Sequence, residues 1–302
     1  MKSLFLSFQN LFSSRKMMLI FLLVVVLAGV LRIAFLSASD VVDDEPFYAL
    51  RGIGWVDVLY GSSQTTPYHW FEELPWWSKL SFHDHPPLVF AIFRFFSIFL
   101  GDSLFAIRLV PAFFGVLSVI LMFFISRLWF KDEKKALITM FLIAINSGVV
   151  FFSRLAMMES ISLFFILLTF FFFLLALDNR KFLPWLGLVF GLSVIAKYVA
   201  FIPLPIYLLI LFIYKREYFK DFYLYLAVFL SFVIMSPVIV YNFFLFKTVG
   251  HFDLQIAFTL GQKVTEWGEP WGKELRGDFS ERLKGLTRLA EYLSPVSFFL
   301  FV

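Results

Sequence analysis

The chain has 302 residues, of which 61% are hydrophobic and 16% are charged. Soluble domains carry about 25% charged residues, and a membrane β-barrel would show alternating rather than continuous apolar runs, so the composition predicts an all-α polytopic membrane protein. Cysteine is absent, which excludes disulfides and thiolate metal sites, and the net charge of +4 is no nucleic-acid signal because the basic residues lie between apolar segments.

The first long apolar run, Met17–Leu36, is long enough to cross a bilayer, which takes about 20 residues. It is too long for a typical core of a signal peptide and no clear small-x-small cleavage site follows it, so we expect a retained helix. Lys2, Arg15 and Lys16 precede this helix, and such residues favour the cytoplasmic side. The N-terminus is therefore expected in the cytoplasm and residues 39–103 in a large outer loop.

The segment Pro86–Leu100 is apolar but short, and Arg94 interrupts it. We expect it to lie at the membrane interface rather than to cross. With this choice Leu104–Ile125 runs inwards to a basic cluster that starts at Arg127, as topology rules require. Further helices are predicted at Ala136–Phe152, Ile161–Leu177, Phe182–Ala196, Val199–Tyr214 and Phe222–Phe244.

The charge pattern divides the chain into three parts. Residues 1–245 are expected to form the transmembrane module. Residues 246–293 are polar enough to fold in water as a second outer loop, since long loops cross the membrane largely regardless of charge. Residues 294–302 are expected to begin a further, truncated transmembrane helix.

The first outer loop opens with four acids in six residues, Asp40, Asp43, Asp44 and Glu45, and closes with His83-Asp84-His85. A solvated negative cap at a membrane exit would account for the acids alone. Adjacent carboxylates repel each other, however, and a bound cation or hydrogen-bond donor would relieve this repulsion. One of them could also deprotonate a hydroxyl. The histidines could join a divalent metal site or donate hydrogen bonds to a phosphate, and their spacing does not distinguish between these two roles.

Arg154, Glu159 and Lys197 are predicted on the same outer side. A salt bridge or snorkelling would explain each of them alone. Together with the acids and histidines, they provide cations for an anionic lipid headgroup beside a carboxylate base. The chain has no Walker A loop, no G-x-S-x-G and no H-E-x-x-H, so nucleotide-driven transport and the common hydrolase classes are unsupported.

Several stretches resemble, in this order, the GT-C class of integral-membrane glycosyltransferases, in the branch of protein O-mannosyltransferases and lipid A aminoarabinose transferases. They are Asp44–Ala49, His85–Leu88, Gly101–Leu109, Ser153–Glu159 and Gly191–Lys197. The resemblance implies a GT-C-type helical bundle whose large first outer loop contains juxtamembrane helices. It also implies transfer of a sugar from a polyprenyl-phosphate donor to an acceptor hydroxyl on the outer face, with inversion.

The resemblance implies that Asp44 is the base or the acceptor-binding carboxylate, and we expect Glu45 and Glu159 to be catalytic as well. Glu159 stands where the family usually has Asp, and His85 stands where many members have Lys. The expected substrate-binding residues are Tyr48, His83, His85, Arg154, Lys197, His251 and Asp253.

The expected partners are a polyprenyl-phosphate sugar donor, a protein, lipid or glycan acceptor, and membrane lipid, with no nucleic acid. No cofactor is specified, and a divalent metal stays an open alternative. The expected location is the plasma membrane, with the active site on the outer face. The alternatives are a transporter or lipid flippase without covalent chemistry, which would show mid-membrane ionisable residues and inverted repeats, and an inactive scaffold.

Overall fold

The computed structural model describes residues 12–42, 44–58 and 64–267. Within these ranges the secondary structure is helical, apart from one antiparallel bridge between Gln64 and Trp267. The helices are α1 (Arg15–Ile33), α2 (Glu45–Gly54), α3 (Pro67–Trp70), α4 (Leu88–Leu100), α5 (Leu104–Phe130), α6 (Glu133–Ile145), α7 (Ser147–Ser153), α8 (Glu159–Asp178), α9 (Leu183–Ala196), α10 (Leu204–Tyr214), α11 (Phe222–Val249) and α12 (Leu254–Leu260), with 3₁₀ turns at Trp76–Lys79, Arg180–Phe182, Tyr198–Phe201 and Arg216–Lys220. Asp43 and residues 268–302, including the helix predicted from residue 294, lie outside the described residues.

Four of the described helices, α1, α5, α8 and α11, are long and apolar enough to cross a membrane, and the bent pair α6–α7 makes a fifth if it counts as one span. This confirms the prediction of an all-α polytopic membrane protein. Helices α9 and α10 have 14 and 11 residues, fewer than the roughly 17–25 that a span takes, so their crossing stays a prediction. Helix α4 lies where the interfacial segment was predicted.

The predicted continuous helix Ala136–Phe152 is wrong in one respect, because the chain bends there. Helices α6 and α7 meet at Asn146 at an angle of 58°. Asn146 has extended backbone, and its side-chain oxygen accepts a hydrogen bond from the Val149 N–H over 3.0 Å. Asparagine favours such N-cap positions because it satisfies a free N–H of the next helix. A new helix therefore starts at residue 147 in a different direction.

Contacts between helix termini separate two ends of the bundle. At one end the hydroxyl and N–H of Ser13, before α1, donate to Glu133 at the start of α6, and Arg180 pairs with Asp221 over 2.6 Å. We call this the basic end, and it comprises residues 127–135, 178–183 and 215–221. The opposite, polar end comprises residues 36–42, 44–57, 80–87, 108, 154–159, 197–198, 251–253 and 266. Which end faces the cytoplasm stays a prediction.

Helices α9 and α11 lie close together because α9 has two glycines one turn apart. A Cβ on Gly187 would overlap the Ala227 backbone, and one on Gly191 would lie 2.8 Å from the Ile234 Cβ. The Ser231 hydroxyl donates to the Gly187 carbonyl over 2.8 Å. Small residues at this spacing let membrane helices approach closely. This packing fixes the direction in which α9 delivers its C-terminal residue to the polar end.

Candidate active site

Glu45, the first residue of α2, forms a buried two-point ion pair with Arg108 of α5. The Arg108 Nε and Nη2 atoms donate to the two carboxylate oxygens over 2.8 and 2.7 Å, and the side chains are 1% and 0% exposed. The N–H groups of Val42 and Ala156 also donate to this carboxylate. Burial alone would raise the pKa of Glu45, but these donors outweigh burial and lower the pKa. Glu45 is therefore a saturated, ionised anchor.

The remaining donors of Arg108 organise the chain between α1 and α2. Nη1 donates to the Leu36 and Ser39 carbonyls over 2.9 and 3.1 Å, and Nη2 donates to the Asp40 carbonyl over 2.8 Å. A guanidinium carries five donors in a rigid fork, which suits this shared use. One buried arginine thus determines the path of the loop that leads to Asp44.

Asp44 lies next to the anchored Glu45 but is exposed to solvent. Its Oδ2 accepts a hydrogen bond from the hydroxyl of the buried Tyr48 over 3.2 Å. The Tyr48 ring contacts the His85 ring edge-on, with centroids 5.4 Å apart. Burial raises the pKa of Tyr48, and the charges of Asp44, Asp84 and Glu159 raise it further. Tyr48 is therefore a neutral hydrogen-bond donor among three carboxylates.

Glu159 and Lys197 come from the ends of different helices and form an ion pair. Lys197 Nζ donates to Glu159 Oε1 over 2.7 Å, and the side chains are 25% and 30% exposed. Glu159 begins α8, where a carboxylate is favoured by the helix dipole. Its Oε2 is buried, and no described residue hydrogen-bonds to it. The pair is thus accessible from outside and holds an unused acceptor.

Beneath Tyr48, a buried network joins α2 to the end of the first loop. Arg51 donates to both oxygens of Asp84 over 3.1 and 2.5 Å and also pairs with Asp57. His85 Nδ1 lies 2.8 Å from Asp84 Oδ2. Burial alone would raise the pKa of Asp84, but Arg51 and His85 outweigh it and hold the pKa well below its usual value. Asp84 therefore orients the imidazole of His85 towards Tyr48.

Arg154, predicted to bind substrate, lies at the polar end but is engaged with α1. Its Nη1 donates to the Leu31 carbonyl over 2.8 Å and its Nη2 to the Phe35 carbonyl over 3.3 Å. The last carbonyls of a helix have no partner within the helix. In this arrangement Arg154 satisfies one of them, that of Leu31, and also bonds to the Phe35 carbonyl just beyond the helix, so it caps α1.

Asp253, also predicted to face the substrate, is 0% exposed. Its Oδ2 accepts from the Tyr198 hydroxyl over 2.6 Å and from Asn242 Nδ2 over 2.8 Å, while Oδ1 accepts from the Ile256 N–H over 3.1 Å at the start of α12. Burial raises the pKa of Asp253 despite these donors. The carboxylate thus joins the end of α9, helix α11 and helix α12.

His83 and His251, one from each loop, meet at the carboxylate of Glu266. The Nε2 atoms of His83 and His251 lie 3.4 and 2.5 Å from Glu266 Oε1, and His251 Nδ1 lies 2.6 Å from the Phe252 carbonyl. Burial alone would lower the pKa of His251, but the hydrogen bond and charge of Glu266 raise it, and the same contact lowers the pKa of Glu266. This cluster fastens the second loop to the first.

Within the described ranges, no group of three or more His, Asp or Glu residues has a geometry that could hold a metal ion.

A comparison with known protein families finds a match over the central part of the chain. The family model of dolichyl-phosphate-mannose-protein mannosyltransferases matches residues 84–241, more than half of the chain. The chain belongs to this family. No curated protein matches the chain. Membership of the dolichyl-phosphate-mannose-protein mannosyltransferase family supports the GT-C superfamily and indicates an integral membrane glycosyltransferase of the mannosyltransferase type.

The matched part of this mannosyltransferase-family chain contains part of the polar end. It begins at Asp84 and includes Arg108, Glu159 and Lys197, whereas Asp44 and Tyr48 precede it. The contacts of Tyr48 and Glu45 described above join the preceding segment to the matched one. The structure thus brings Asp44, Tyr48, His85, Glu159 and Lys197 into one region.

Sequence reasoning did not assign a role to Arg51, Asp57, Arg108 or Glu266, although all four are central to the polar end. Arg108 carried a usable signal, because a charged residue inside an otherwise apolar helix needs a partner. Arg51 and Asp57 lie in a polar loop where charges are ordinary, so their pairing depends on the folded path of the chain. Glu266 lies far in sequence from His83, and no local pattern indicates their contact.

Proposed function

We propose that this protein transfers a sugar from a polyprenyl-phosphate donor to an acceptor hydroxyl, with inversion at the sugar carbon, and that Asp44 is the base. The observation that carries the proposal is the position of Tyr48, which bonds to Asp44, packs against His85 and lies within the fields of Asp84 and Glu159. This arrangement places an exposed carboxylate beside groups suited to a phosphate. The family name favours a protein hydroxyl as the acceptor.

The neighbouring acids Asp44 and Glu45 have different roles in this proposal. The carboxylate oxygens of Glu45 already accept hydrogen bonds from Arg108 and from backbone N–H groups. Glu45 therefore positions the loop and does not bind the acceptor hydroxyl. Asp44 is exposed and engages only the Tyr48 hydroxyl among the described residues, so an acceptor hydroxyl can approach it. Asp44 takes the hydroxyl proton while the acceptor oxygen attacks the anomeric carbon from the face opposite the phosphate.

The bond from the anomeric carbon to the phosphate oxygen breaks, and its electron pair leaves with the polyprenyl phosphate. Negative charge therefore develops on the phosphate as the sugar departs. In our proposal Lys197 stabilises this charge, because its side chain is a quarter exposed and its ammonium is already held at the site by Glu159. His85, oriented by Asp84, is the second proposed phosphate contact.

A groove beside Lys197 suits the lipid part of the donor. It has a volume of about 870 Å³ and lies between the end of α9, helix α11 and helix α12. Its walls are mostly apolar, with Phe201, Ile202, Phe232 and Phe243 among the lining residues. Ligand pockets typically have volumes of ~300–1,000 Å³ and apolar walls with a few polar groups. Tyr198 lines this groove and directly follows Lys197.

The proposal gives other predicted residues supporting roles. Arg154 caps α1, and Asp253 holds α12 against α11, so both position the site instead of contacting the donor. His83 and His251 fasten the second loop over the first. We also propose the outer face of the plasma membrane for the polar end, because the basic loops of the opposite end fit the cytoplasmic side.

Replacing Asp44 with Asn tests this function. Purified Asp44→Asn and Asp40→Asn variants are incubated with a synthetic polyprenyl-phosphate mannose and a serine- and threonine-rich acceptor peptide, and sugar transfer is counted. General-base catalysis contributes about 10²–10⁴-fold, so Asp44→Asn should lose that much. Asp40 is exposed and gives Arg108 only its backbone carbonyl, so Asp40→Asn should retain activity.

Unchanged transfer by a folded Asp44→Asn variant would remove Asp44 from the mechanism. Movement of the lipid across vesicles without sugar transfer by the unaltered protein would instead favour the transporter or flippase.

A further inference from the structure

A polar pocket lies in the first loop, away from the apolar groove described above. Its volume is about 250 Å³, and it is formed by the end of α2, the segment from Pro67 to Phe82, and Arg94 of α4. This is just below the ~300–1,000 Å³ typical of ligand pockets, so it suits a headgroup rather than a whole lipid. It shares no lining residue with the Asp44, Glu159 and Lys197 site.

The lining of this pocket has an excess of usable positive charge. Lys79 and Arg94 line it and are exposed, and neither forms an ion pair with a described carboxylate. Asp57 is the acid in the lining, but Arg51 pairs with its carboxylate and the His83 N–H donates to it over 2.8 Å. Its negative charge is therefore compensated from beneath, while the two cations are not.

The pocket is also built as a fixed structure. The indole N–H of Trp55 donates to the Lys79 carbonyl over 3.1 Å and so joins the end of α2 to the 3₁₀ turn. The Thr66 hydroxyl donates to the Asp57 carbonyl, and the Ser78 hydroxyl donates to the Pro75 carbonyl over 2.7 Å. These bonds hold Lys79 opposite α4 without using its ammonium.

Apolar surface beside the pocket indicates where the ligand comes from. On α4, next to Arg94, the side chains of Phe95, Ile98 and Phe99 are 56%, 71% and 71% exposed, and Trp76 on the neighbouring 3₁₀ turn is 62% exposed. Exposed apolar residues with Trp and Arg at one level are typical of a segment at the membrane interface. A basic pocket at that depth faces lipid headgroups.

We propose that this pocket binds a phosphate ester group at the membrane interface, through Lys79 and Arg94, as a site separate from that of the sugar donor. Arg offers paired donors that match phosphate oxygens, and Lys adds a compact charge. The aromatic walls contributed by Trp55 and Tyr68 would contact the glycerol or sugar part of the headgroup.

Native mass spectrometry of the detergent-purified full chain tests this site without any need for turnover. The protein is titrated with phosphatidylglycerol, and the number and stability of retained lipids are measured for the unaltered protein, for Lys79→Gln/Arg94→Gln and for Lys247→Gln. Lys247 is an exposed cation beside Phe243 that does not line the pocket, so it controls for general charge.

Each basic side chain near an anionic surface contributes roughly fivefold, so the double variant should retain the lipid roughly 25-fold less well, and Lys247→Gln should bind as the unaltered protein does. The charge-conserving Lys79→Arg/Arg94→Lys variant should keep most of the binding, which separates loss of charge from misfolding. Equal retention by the unaltered protein and the folded Gln double variant would overturn the proposal.

A competition arm identifies the source of the phosphate. Glycerol 3-phosphate that displaces phosphatidylglycerol at equal concentration, in a manner dependent on Lys79 and Arg94, assigns the pocket to soluble phosphate esters. No displacement assigns it to lipid. Displacement that is the same in the Gln double variant would contradict the pocket as the phosphate site. Loss of sugar transfer in Asp44→Asn leaves all these outcomes unaffected, so failure of this inference and failure of the proposed function are distinguishable.

Discussion

The two ends of the helical bundle carry ion pairs of very different character. At the polar end, Arg108 and Glu45 are 0% and 1% exposed and share two hydrogen bonds. At the basic end, Arg180 is 60% exposed and meets Asp221 through one contact of 2.6 Å. Buried ions need a partner for every charge, whereas water supports surface ions by itself.

The difference shows where the chain requires a fixed loop. A buried ion pair contributes little net stability, because removing two ions from water offsets most of their attraction. It does force one conformation, since any other leaves a charge unpaired. At the polar end this conformation places Asp44 directly after the Arg108-bound turn. At the basic end no comparable constraint is present among the described residues.

The largest effect should come from breaking the buried pair. Replacing Arg108 with Met leaves Glu45 charged and buried, which costs about 3–5 kcal/mol. The double variant Glu45→Met/Arg108→Met should recover much of this loss, because it removes both charges. Thermal unfolding in detergent measures the differences. A loss below about 1 kcal/mol in Arg108→Met would contradict the buried pairing.

The next effect concerns the accessible pair of the polar end. Lys197→Met should lower kcat/KM for the lipid donor by roughly 10–150-fold, since a hydrogen bond to a charged group contributes about 1.5–3 kcal/mol. Lys197→Arg should restore part of it. Lys220→Met, an exposed lysine at the basic end, serves as the control. A Lys197→Met enzyme with normal donor kinetics would show that Lys197 does not contact the phosphate.

A smaller effect is expected from pH on the docking of the second loop. The folded-state pKa of His251 is raised by Glu266, so this contact stabilises docking fully below the ordinary His pKa of about 6.5 and is lost as pH rises through the raised value. Asp253 and His83 also face His251, and Glu266 has a lowered pKa and stays charged across this range.

Amide exchange in α12, corrected for the intrinsic pH dependence, measures this docking. Protection should fall with rising pH by at most about tenfold per unit, the limit for one linked proton. Glu266→Gln should flatten the profile. A profile that keeps its slope in Glu266→Gln would assign the pH dependence to another group.

The smallest effect is expected at the basic end. Arg180→Met should change the free energy of unfolding by about 0–1 kcal/mol, because an exposed ion pair is screened by water and salt. Comparing the losses in free energy of unfolding of Arg180→Met and Arg108→Met under the same conditions measures how much the ion pairs at the two ends differ. A loss of several kcal/mol here would mean that the two ends do not differ as described.

The positions of the main helices along the chain could be predicted from apolar runs and charge placement, because each of these limits where a membrane helix can lie. Met17–Leu36 and Leu104–Ile125 were predicted where α1 and α5 occur, and Pro86–Leu100 where α4 occurs. The bend at Asn146 was missed because the surrounding run is mostly apolar and hydropathy does not register the direction of a helix. The Asn-Ser-Gly sequence at 146–148 was the local signal, as it combines an N-cap residue with weak helix formers.

At the candidate site, the types of residue could be predicted from the sequence, but the contacts between them could not. An acid-rich loop beside histidines indicated chemistry, but nothing local distinguishes Asp44 from Glu45. Their difference arises because Arg108, 63 positions along the chain, reaches one carboxylate and not the other. Arg154 likewise has the right charge at the right end, yet it bonds to the carbonyls of Leu31 in α1 and of Phe35 just beyond it.

The most direct test of the account asks which end of the bundle binds the donor. A polyprenyl phosphate carrying a photoreactive group beside the phosphate is irradiated with the purified protein, and the labelled peptides are identified by mass spectrometry. Labelling is expected in the segments around Tyr48, Glu159 and Lys197, and excess unlabelled donor should reduce it. Competed labelling confined to residues 127–135 or 215–221 would place the donor at the basic end and contradict it.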